Sequence, residues 1–532
     1  MNYFLNNGLK KIINFNRKIF SNKNFKDKKG IILCEFSNNS SNHLSFSYLL
    51  NYLKEKYSCR CYAYQNLIQE SLTKRIKFFF QKFLNYKNFA IYRSFNIDDF
   101  ILSKKTKKIR NLSNIQFQNI IKNLKKKNDI LDIKIDNILI GDLIYDSFLK
   151  EFGLPTINIK DKKFLKLLRS SIENFYFWKI FFEKNNVKSL IISDTTYVEA
   201  ILLRISAHNK ISTYQCNWDN IHKIDKNNLY AYAKYKFYKN DFNQLEAHQK
   251  KKSLELAKRS IEKRFSATDI SEDRIMFYSN KPTFHKDFSK KNILKESKNK
   301  KILIATHCFL DAPHGYGHQG NIFTDFYEWL NYLYDISKKT KYDWYIKNHP
   351  SSVPKTTEIL NKFLKDKKEF NLIPSEISHS QLIKEGINCV LTVNGTIGWE
   401  YAYYQVPVIN ASINNPHILY SFNLHAKNLK DYENMILNYE DHKINYEKND
   451  IYEFYFMHNL FSRSAWIFDD FLYVIKKIEG YKNLGTTKFY NYWIDNYNEQ
   501  KHKKINKKLK NFMFSNDYYI KNFDILNNNS NY

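Results

Sequence analysis

The sequence predicts an α/β chain with two Rossmann-like parallel-sheet domains facing across a cleft, on three observations. Its 532 residues exceed what one core organises and point to two or three domains. From residue 300 onward, apolar runs of strand length alternate with amphipathic runs of helix length, the signature of a parallel sheet with crossover helices. The first half shows the same alternation with more interruption.

In the second half the expected strands are 301–306 (KILIAT), 344–347 within YDWYIKNHP, 370–373 (FNLI), 389–393 (CVLTV) and 408–411 (VINA). Helices at about 323–338, 355–365, 380–385 and 397–404 lie between them, making a repeated βα unit. Such a sheet binds ligands at the carboxyl ends of its strands. In the first half the expected strands are 30–36 (GIILCEF), 59–64, 137–141 (NILIG), 189–193 (SLIIS) and 212–215, with helices at about 43–54 and 198–208. A Lys-rich, poorly periodic stretch at about 71–127 reads as a mostly helical insertion, and a charged helix at 241–264 with a polar stretch bridges the two halves. The expected divisions are an N-terminal extension at 1–27, a first Rossmann-like domain at 28–295, a second at 296–450, and C-terminal helices with a disordered tail at 451–532.

Composition narrows the partners. Hydrophobic residues at 43% and aromatic residues at 17% mark a chain that folds. The net charge of +32 invites a nucleic-acid reading. However, the basic residues are mostly Lys spread among Asn, Ile, Tyr and Phe, a mixture that codon drift in an AT-rich genome produces, and no segment shows a basic, aromatic-lined groove. No nucleic acid is expected; acidic partners such as anionic headgroups, nucleotide phosphates or an acidic glycan remain. Cys34, Cys59, Cys61, Cys216, Cys308 and Cys389 form no CxxC pair, so reduced, cytosolic thiols are expected. Residues 1–20 hold no unbroken apolar stretch and match neither a signal peptide nor a spanning helix. A frayed end is the simpler reading there, and an amphipathic helix lying on a membrane surface is the other. The chain is expected to be soluble or peripheral.

Three segments at strand ends carry the chemistry. In 392–409, TVNGTIGWEYAYYQVPVI, a strand ends at Val393 and the turn Asn394-Gly395-Thr396 leads into a helix, so backbone N–H groups would face a phosphate. Glu400 lies one turn on, on the side of Thr396, where its carboxylate would accept hydrogen bonds from ribose hydroxyls. An ordinary capped turn with a surface Glu is the plain alternative. In 345–352, YIKNHPSS, Pro350 stops the strand and holds His349 extended. Lys347 and His349 alternate to one side of the strand and would offer a point charge and an imidazole donor to a pyrophosphate; a His-Pro turn with a solvated Lys is the alternative.

The third segment, 306–320, reads THCFLDAPHGYGHQG and gathers His307, Asp311, His314 and His318 with three glycines. No regular spacing presents these groups convergently, so no metal is expected. An active-site loop in which Asp311 or one of the histidines deprotonates an acceptor hydroxyl is the stronger reading, a Gly-rich connection the other. In the first half, Glu35 and His43 bracket the polar loop FSNNSSN after the first strand. Gly141-Asp142 and residues 193–197 end two further strands, and each could be a helix cap only.

In this order and spacing, Lys347-Asn348-His349-Pro350, the stretch Asn394-Gly395-Thr396-Ile397-Gly398-Trp399-Glu400, and Pro407-Val408-Ile409 resemble the capsule polysaccharide biosynthesis proteins, a GT-B group related to the Kdo-transferases and polysialyltransferases of bacterial capsules. The match covers 300–412, and GIILCEF, GDLIYDSFL and IISDTTYVEAILLRISA resemble the group more loosely. Asn394 stands where Ser or Thr is common, and the chain past residue 450 has no counterpart. The resemblance implies a GT-B-like fold with an acceptor domain first and a nucleotide-sugar domain second. It also implies donor phosphates on His349 and the Asn394, Gly395 and Thr396 turn, with ribose on Glu400.

The expected activity is a metal-independent glycosyltransferase that builds capsular or other surface polysaccharide on a glycan or glycolipid acceptor. It would work in the cytoplasm or peripherally on the inner face of the membrane. The nucleotide sugar enters as substrate and no cofactor is expected. Candidate catalytic residues are Asp311, His307, His314 and Glu35; Lys347 completes the donor set. Two alternatives stand beside this: transfer of a polyol-phosphate from a CDP-linked donor, as in teichoic-acid polymerases, and a non-catalytic scaffold of the polysaccharide assembly machinery that binds no nucleotide.

Overall fold

The computed structural model describes residues 7–20, 30–68, 71–266, 283–349, 352–463, 466–468 and 470–527. The chain divides into two compact units: unit 1 comprises Met1–Tyr145, Ile159–Ala231 and Arg463–Lys521, and unit 2 comprises Asp146–Asn158, Tyr232–Ser462 and Asn522–Tyr532.

Unit 1 is organised by strands β1 (Ile31–Glu35), β2 (Arg60–Tyr64), β3 (Asp99–Ile101), β6 (Val187–Ile192), β7 (Ser212–Cys216) and β8 (Ile221–Ile224), in the order β3-β2-β1-β6-β7-β8. All pairings are parallel except β7 with β8. Strand β1 is buried through Ile32, Leu33 and Cys34, the continuous apolar run of a strand covered on both faces. Helix α1 (Asn7–Ile19) buries Ile12 and Ile13, and α2 (Ser40–Tyr57) starts where the Asn39 side chain accepts from the Ser41 N–H.

Three expectations change here. The run 137–141 gives only β5 (Ile138–Leu139), which pairs with β4 (Lys134–Ile135) outside the main sheet, because Gly141 already opens a helix. A Cβ at Gly141 would lie 1.8 Å from the Ile130 carbonyl oxygen, so only glycine permits this approach. The insertion at 71–127 is helical in α3 (Leu72–Phe83), α4 (Asn88–Ser94) and α5 (Lys107–Asn123), yet it also supplies β3, which extends the sheet. The N-terminal segment is no frayed end over 7–19: its apolar face packs with Phe489 and Trp493 in the core of unit 1.

Residues 463–521 likewise complete unit 1. Phe489, Trp493 and Leu509 share a core with Ile32 and Cys34, because the sheet needs apolar cover that the first 295 residues do not fully supply. Residues 232–266, by contrast, pack in unit 2. The Asn-rich end at 528–532 lies outside the described residues.

Unit 2 contains β9 (Lys301–Ala305), β10 (Asp343–Lys347), β11 (Phe370–Ile373), β12 (Cys389–Thr392), β13 (Val408–Asn410) and β14 (Leu424–His425), all parallel, in the order β11-β10-β9-β12-β13-β14. The five expected strands are present, and β14 adds a short edge. Alternation sorts β9: Ile302 and Ile304 join Trp329, Leu330 and Leu333 on one face, while Leu303 joins Tyr345, Val390 and Tyr401 on the other.

Each sheet therefore runs 3-2-1-4-5-6 in order of appearance, ignoring the small hairpin. The order reverses between β1 and β6 in unit 1 and between β9 and β12 in unit 2, and ligands bind at such points, beyond the carboxyl ends. Two Rossmann-like parallel-sheet domains in one chain, the composition of the expected GT-B-like class, are what these sheet orders show.

Candidate functional site

The reversal point of unit 2 is where the sequence places its imidazoles. Past the end of β9, Thr306 donates its N–H to the Lys347 carbonyl (3.1 Å), tying the tips of β9 and β10 together. His307 then crosses to β12. Its Nε2 accepts the Val393 N–H at 3.2 Å and lies 3.1 Å from Thr392 Oγ1. A nitrogen that accepts an amide proton carries none, which assigns the neutral tautomer with the proton on Nδ1. The ring stacks on Phe326 at 4.5 Å. Burial, reinforced by the nearby His349, pulls the His307 pKa down to about 3.

Gly395 sits against this ring: a Cβ there would lie 3.5 Å from His307 Cε1 and 3.1 Å from Thr392 Oγ1, and its N–H points to that hydroxyl at 3.4 Å. Asn394 and Gly395 are half-buried and Thr396 is exposed at the start of the helix Ile397–Tyr403. Thr396 makes no side-chain cap, so its hydroxyl is not committed to the helix end. On the other side, Asn348 organises the loop after β10. Its Oδ1 accepts from the His349 N–H (3.0 Å) and the Ser352 hydroxyl (2.7 Å), and its Nδ2 donates to Thr357 (3.0 Å). His349 itself is exposed, and loss of hydration lowers its pKa while the Asp311 carboxylate opposes the shift. Asp311 is exposed and accepts the Ala312 N–H at 2.9 Å. Asp311, His349, His307 and the 394–396 turn thus form one neighbourhood.

Lys347 does not present its charge beside His349. Strand β10 ends at Lys347, so the expected alternation to one side does not extend to His349. The Lys347 side chain is buried and donates to the carbonyls of Pro374 (3.3 Å) and Ser375 (2.8 Å), with burial lowering its pKa to about 8. Glu400 is not a surface residue either. It is 3% exposed, and Oε1 accepts from Arg264 Nη2 at 2.6 Å, with that guanidinium 5.6 Å from the Trp399 ring. His314 is buried too, its Nδ1 lying 2.6 Å from Asp146 Oδ1. Because a carboxylate only accepts, Nδ1 is the donor of that bond.

Glu35 lies in unit 1 at the reversal point there. Its Oε2 accepts the Ser193 N–H (2.6 Å) beyond β6 and its Oε1 the Asn66 amide (3.0 Å) beyond β2. Burial raises its pKa while the Ser193 bond opposes this. His43 is held by Ser37 and Tyr490, and burial takes its pKa down to about 4. Asp194 caps its own turn through the Thr195 and Thr196 N–H groups (2.6 and 3.1 Å). Asp142 accepts from Arg204 and Tyr230, each at 2.8 Å, inside unit 1.

Sequence reasoning passed over Asn348, Arg264 and Asp146. Asn348 was visible as the middle of Lys-x-His-Pro; Arg264 and Asp146 had no local signal, since their partners stand 136 and 168 residues away. Among the described residues no cluster of three or more His, Cys, Asp or Glu could hold a metal, and no described helix is long and apolar enough to cross a membrane.

The fold and the site define an α/β chain of two Rossmann-type units, with an imidazole-bearing reversal point in the second. No family model matches the chain, and no curated protein does. Solved structures similar to it include a UDP-GlcNAc 2-epimerase of Methanocaldococcus jannaschii in complex with UDP-GlcNAc and UDP, at 12% identity over 80% of this chain and 98% of that one, TM-score 0.23. Two others are the wall teichoic acid polymerase TagF (12% identity, 96% of both chains, TM-score 0.20) and a glycosyltransferase of Rickettsia africae (10% identity, 95% of this chain and 100% of that one, TM-score 0.20). Likeness at these TM-scores carries no weight beside the strand orders and side chains.

Proposed function

We propose that the chain is a glycosyltransferase that binds the phosphate of a nucleotide-activated sugar at the β9/β12 reversal point of unit 2 and serves surface-polysaccharide assembly. The observation that carries this reading is the convergence of His307, His349 and the Asn394 to Thr396 turn at one set of strand tips. His307 is neutral, with its Nε2 taken up by Val393 and Thr392 at the end of β12, and it positions the turn. His349, which is exposed, donates an imidazole N–H to the phosphate. An arriving dianion favours its protonation and so stabilises the leaving group as charge builds there.

Asp311 takes the acceptor hydroxyl's proton as the new glycosidic bond forms and the bond to the nucleotide phosphate breaks. Its exposure beside His349 favours it over His314, which is sealed against Asp146. Glu400 and Arg264 act as a pair that fixes the helix Ile397–Tyr403, and Lys347 ties β10 to the loop after β11. The acceptor is a glycan or glycolipid, and neither cofactor nor metal has a part in the reaction. The same cradle would take the phosphates of a CDP-linked polyol.

Thermal-shift measurements with CMP, CDP, UDP and GDP sugars on wild type, His349→Ala and Asp311→Asn test this. One nucleotide class should stabilise wild type, His349→Ala should lose that shift, and Asp311→Asn should keep it while losing turnover. Equal shifts in wild type and His349→Ala would remove the phosphate role, and silence with every nucleotide would favour the scaffold.

A further inference from the structure

Helix α3 carries an apolar face that the fold leaves uncovered. Leu72, Ile76, Phe79, Phe80 and Phe83 are 66%, 59%, 55%, 63% and 72% exposed. They are five of the fifteen exposed large apolar side chains among the described residues, gathered on one twelve-residue helix. At roughly 100° per residue they fall within an arc of about 100°, a continuous stripe along the helix. Phe78 projects from the opposite side and is buried against Phe36 and Phe89, which fixes the helix to unit 1 with the stripe outward. The apolar face of α1, by contrast, packs on Phe489 and Trp493. A contiguous apolar stripe on a folded chain marks an interaction surface.

Charge selects the partner. The helix LTKRIKFFFQKF holds Lys74, Arg75, Lys77 and Lys82 and no acidic residue. On the same angular count Arg75 and Lys77 flank the stripe on its two sides, where long basic side chains reach a charged interface while the aromatic rings go deeper. Lys82 pairs with Asp99, while Lys77 is exposed beside the stripe. A second copy of the chain docked through this face would set cations against cations, since a two-fold interface presents the same patch twice. Anionic lipid headgroups complement both the stripe and its flanks, and the net charge of +32 adds to the attraction.

We propose that α3 docks unit 1 on the surface of a bilayer containing anionic lipid, with the Leu72-to-Phe83 stripe set among the headgroups. This is independent of the reaction proposed above and differs from the N-terminal segment considered from sequence, whose apolar face is internal.

Co-sedimentation of the full chain with vesicles of two parts phosphatidylcholine to one part phosphatidylglycerol, and with phosphatidylcholine alone, tests it. Wild type should favour the anionic vesicles by about tenfold or more, the gap closing at high salt. The variant Phe79→Ser/Phe80→Ser/Phe83→Ser should lose about 100-fold in partitioning at an unchanged Tm, because these side chains contact solvent in the free protein. Lys77→Glu, which leaves the stripe intact, should lose about tenfold on anionic vesicles only. Equal partitioning by wild type and either variant would overturn the proposal. So would a wild-type dimer that the triple serine variant dissolves while neither protein binds vesicles.

Discussion

Replacing Glu400 by Gln preserves the shape of a side chain that is 3% exposed and removes the charge that Arg264 meets at 2.6 Å. Arg264 cannot shed its proton, and its side chain is only 16% exposed, so the variant strands a cation next to a neutral amide. Breaking a buried pair from one side destabilises by roughly 3–5 kcal/mol; the amide oxygen still accepts a bond, which brings the expected loss to about 2 kcal/mol. For a unit of this size that corresponds to a fall of roughly 4–8 °C in the unfolding transition of unit 2. Scanning calorimetry on wild type, Glu400→Gln, Arg264→Met and the double variant reads it. The double variant should lie well above the sum of the single losses, with a coupling of about 1–2 kcal/mol, because removing both charges leaves neither one stranded. Strictly additive losses would refute the reasoning. Below its transition, Glu400→Gln should retain the nucleotide-induced shift of wild type; a selective loss of that shift would return Glu400 to the ribose.

Three further outcomes are expected. Burial holds His307 at a pKa of about 3 and His43 at about 4, both below the unfolded value, so the unfolded chain binds protons that the folded one refuses and stability falls as pH drops from 6.5 towards these values. Each contributes about 2 kcal/mol of loss by roughly pH 5, and His307→Gln should flatten the Tm-against-pH curve of unit 2 in that window; superimposable curves would contradict the assignment. In Gly398→Ala the new Cβ would lie 2.5 Å from His417 Cε1 and 2.7 Å from Asn423 Nδ2 in buried surroundings, so the urea midpoint should drop by the equivalent of about 1–3 kcal/mol, and an unchanged midpoint would show that the site yields. Arg204→Met leaves the buried Asp142 carboxylate of unit 1 without its cation, held only by neutral donors such as the Tyr230 hydroxyl, and should destabilise by roughly 3–5 kcal/mol, largely recovered by adding Asp142→Leu; a single-variant loss below about 1 kcal/mol in denaturant unfolding would count against a working pair.

The central strands of unit 2 were legible because a parallel strand covered on both faces reads as an uninterrupted apolar run, as KILIAT and CVLTV do. Strands β3, β8 and β14 were not, since short edge strands owe their existence to the neighbour they pair with and carry little pattern of their own. The cover that 463–521 gives unit 1 was equally hidden, because an amphipathic helix displays an apolar face without naming what it packs on.

Sequence alone determined where the strands of unit 2 stop and that His307, His349 and the Asn394 to Thr396 turn stand at those stops, because backbone pattern and turn chemistry are local. Only the tertiary structure decided which partners the other charged groups take. Lys347 is turned onto two carbonyls, Glu400 onto Arg264 and His314 onto Asp146, while His349 and Asp311 are exposed. The reason is physical: a buried charge needs a partner, that partner can come from any point along the chain, and no spacing in the sequence records which one the fold delivers.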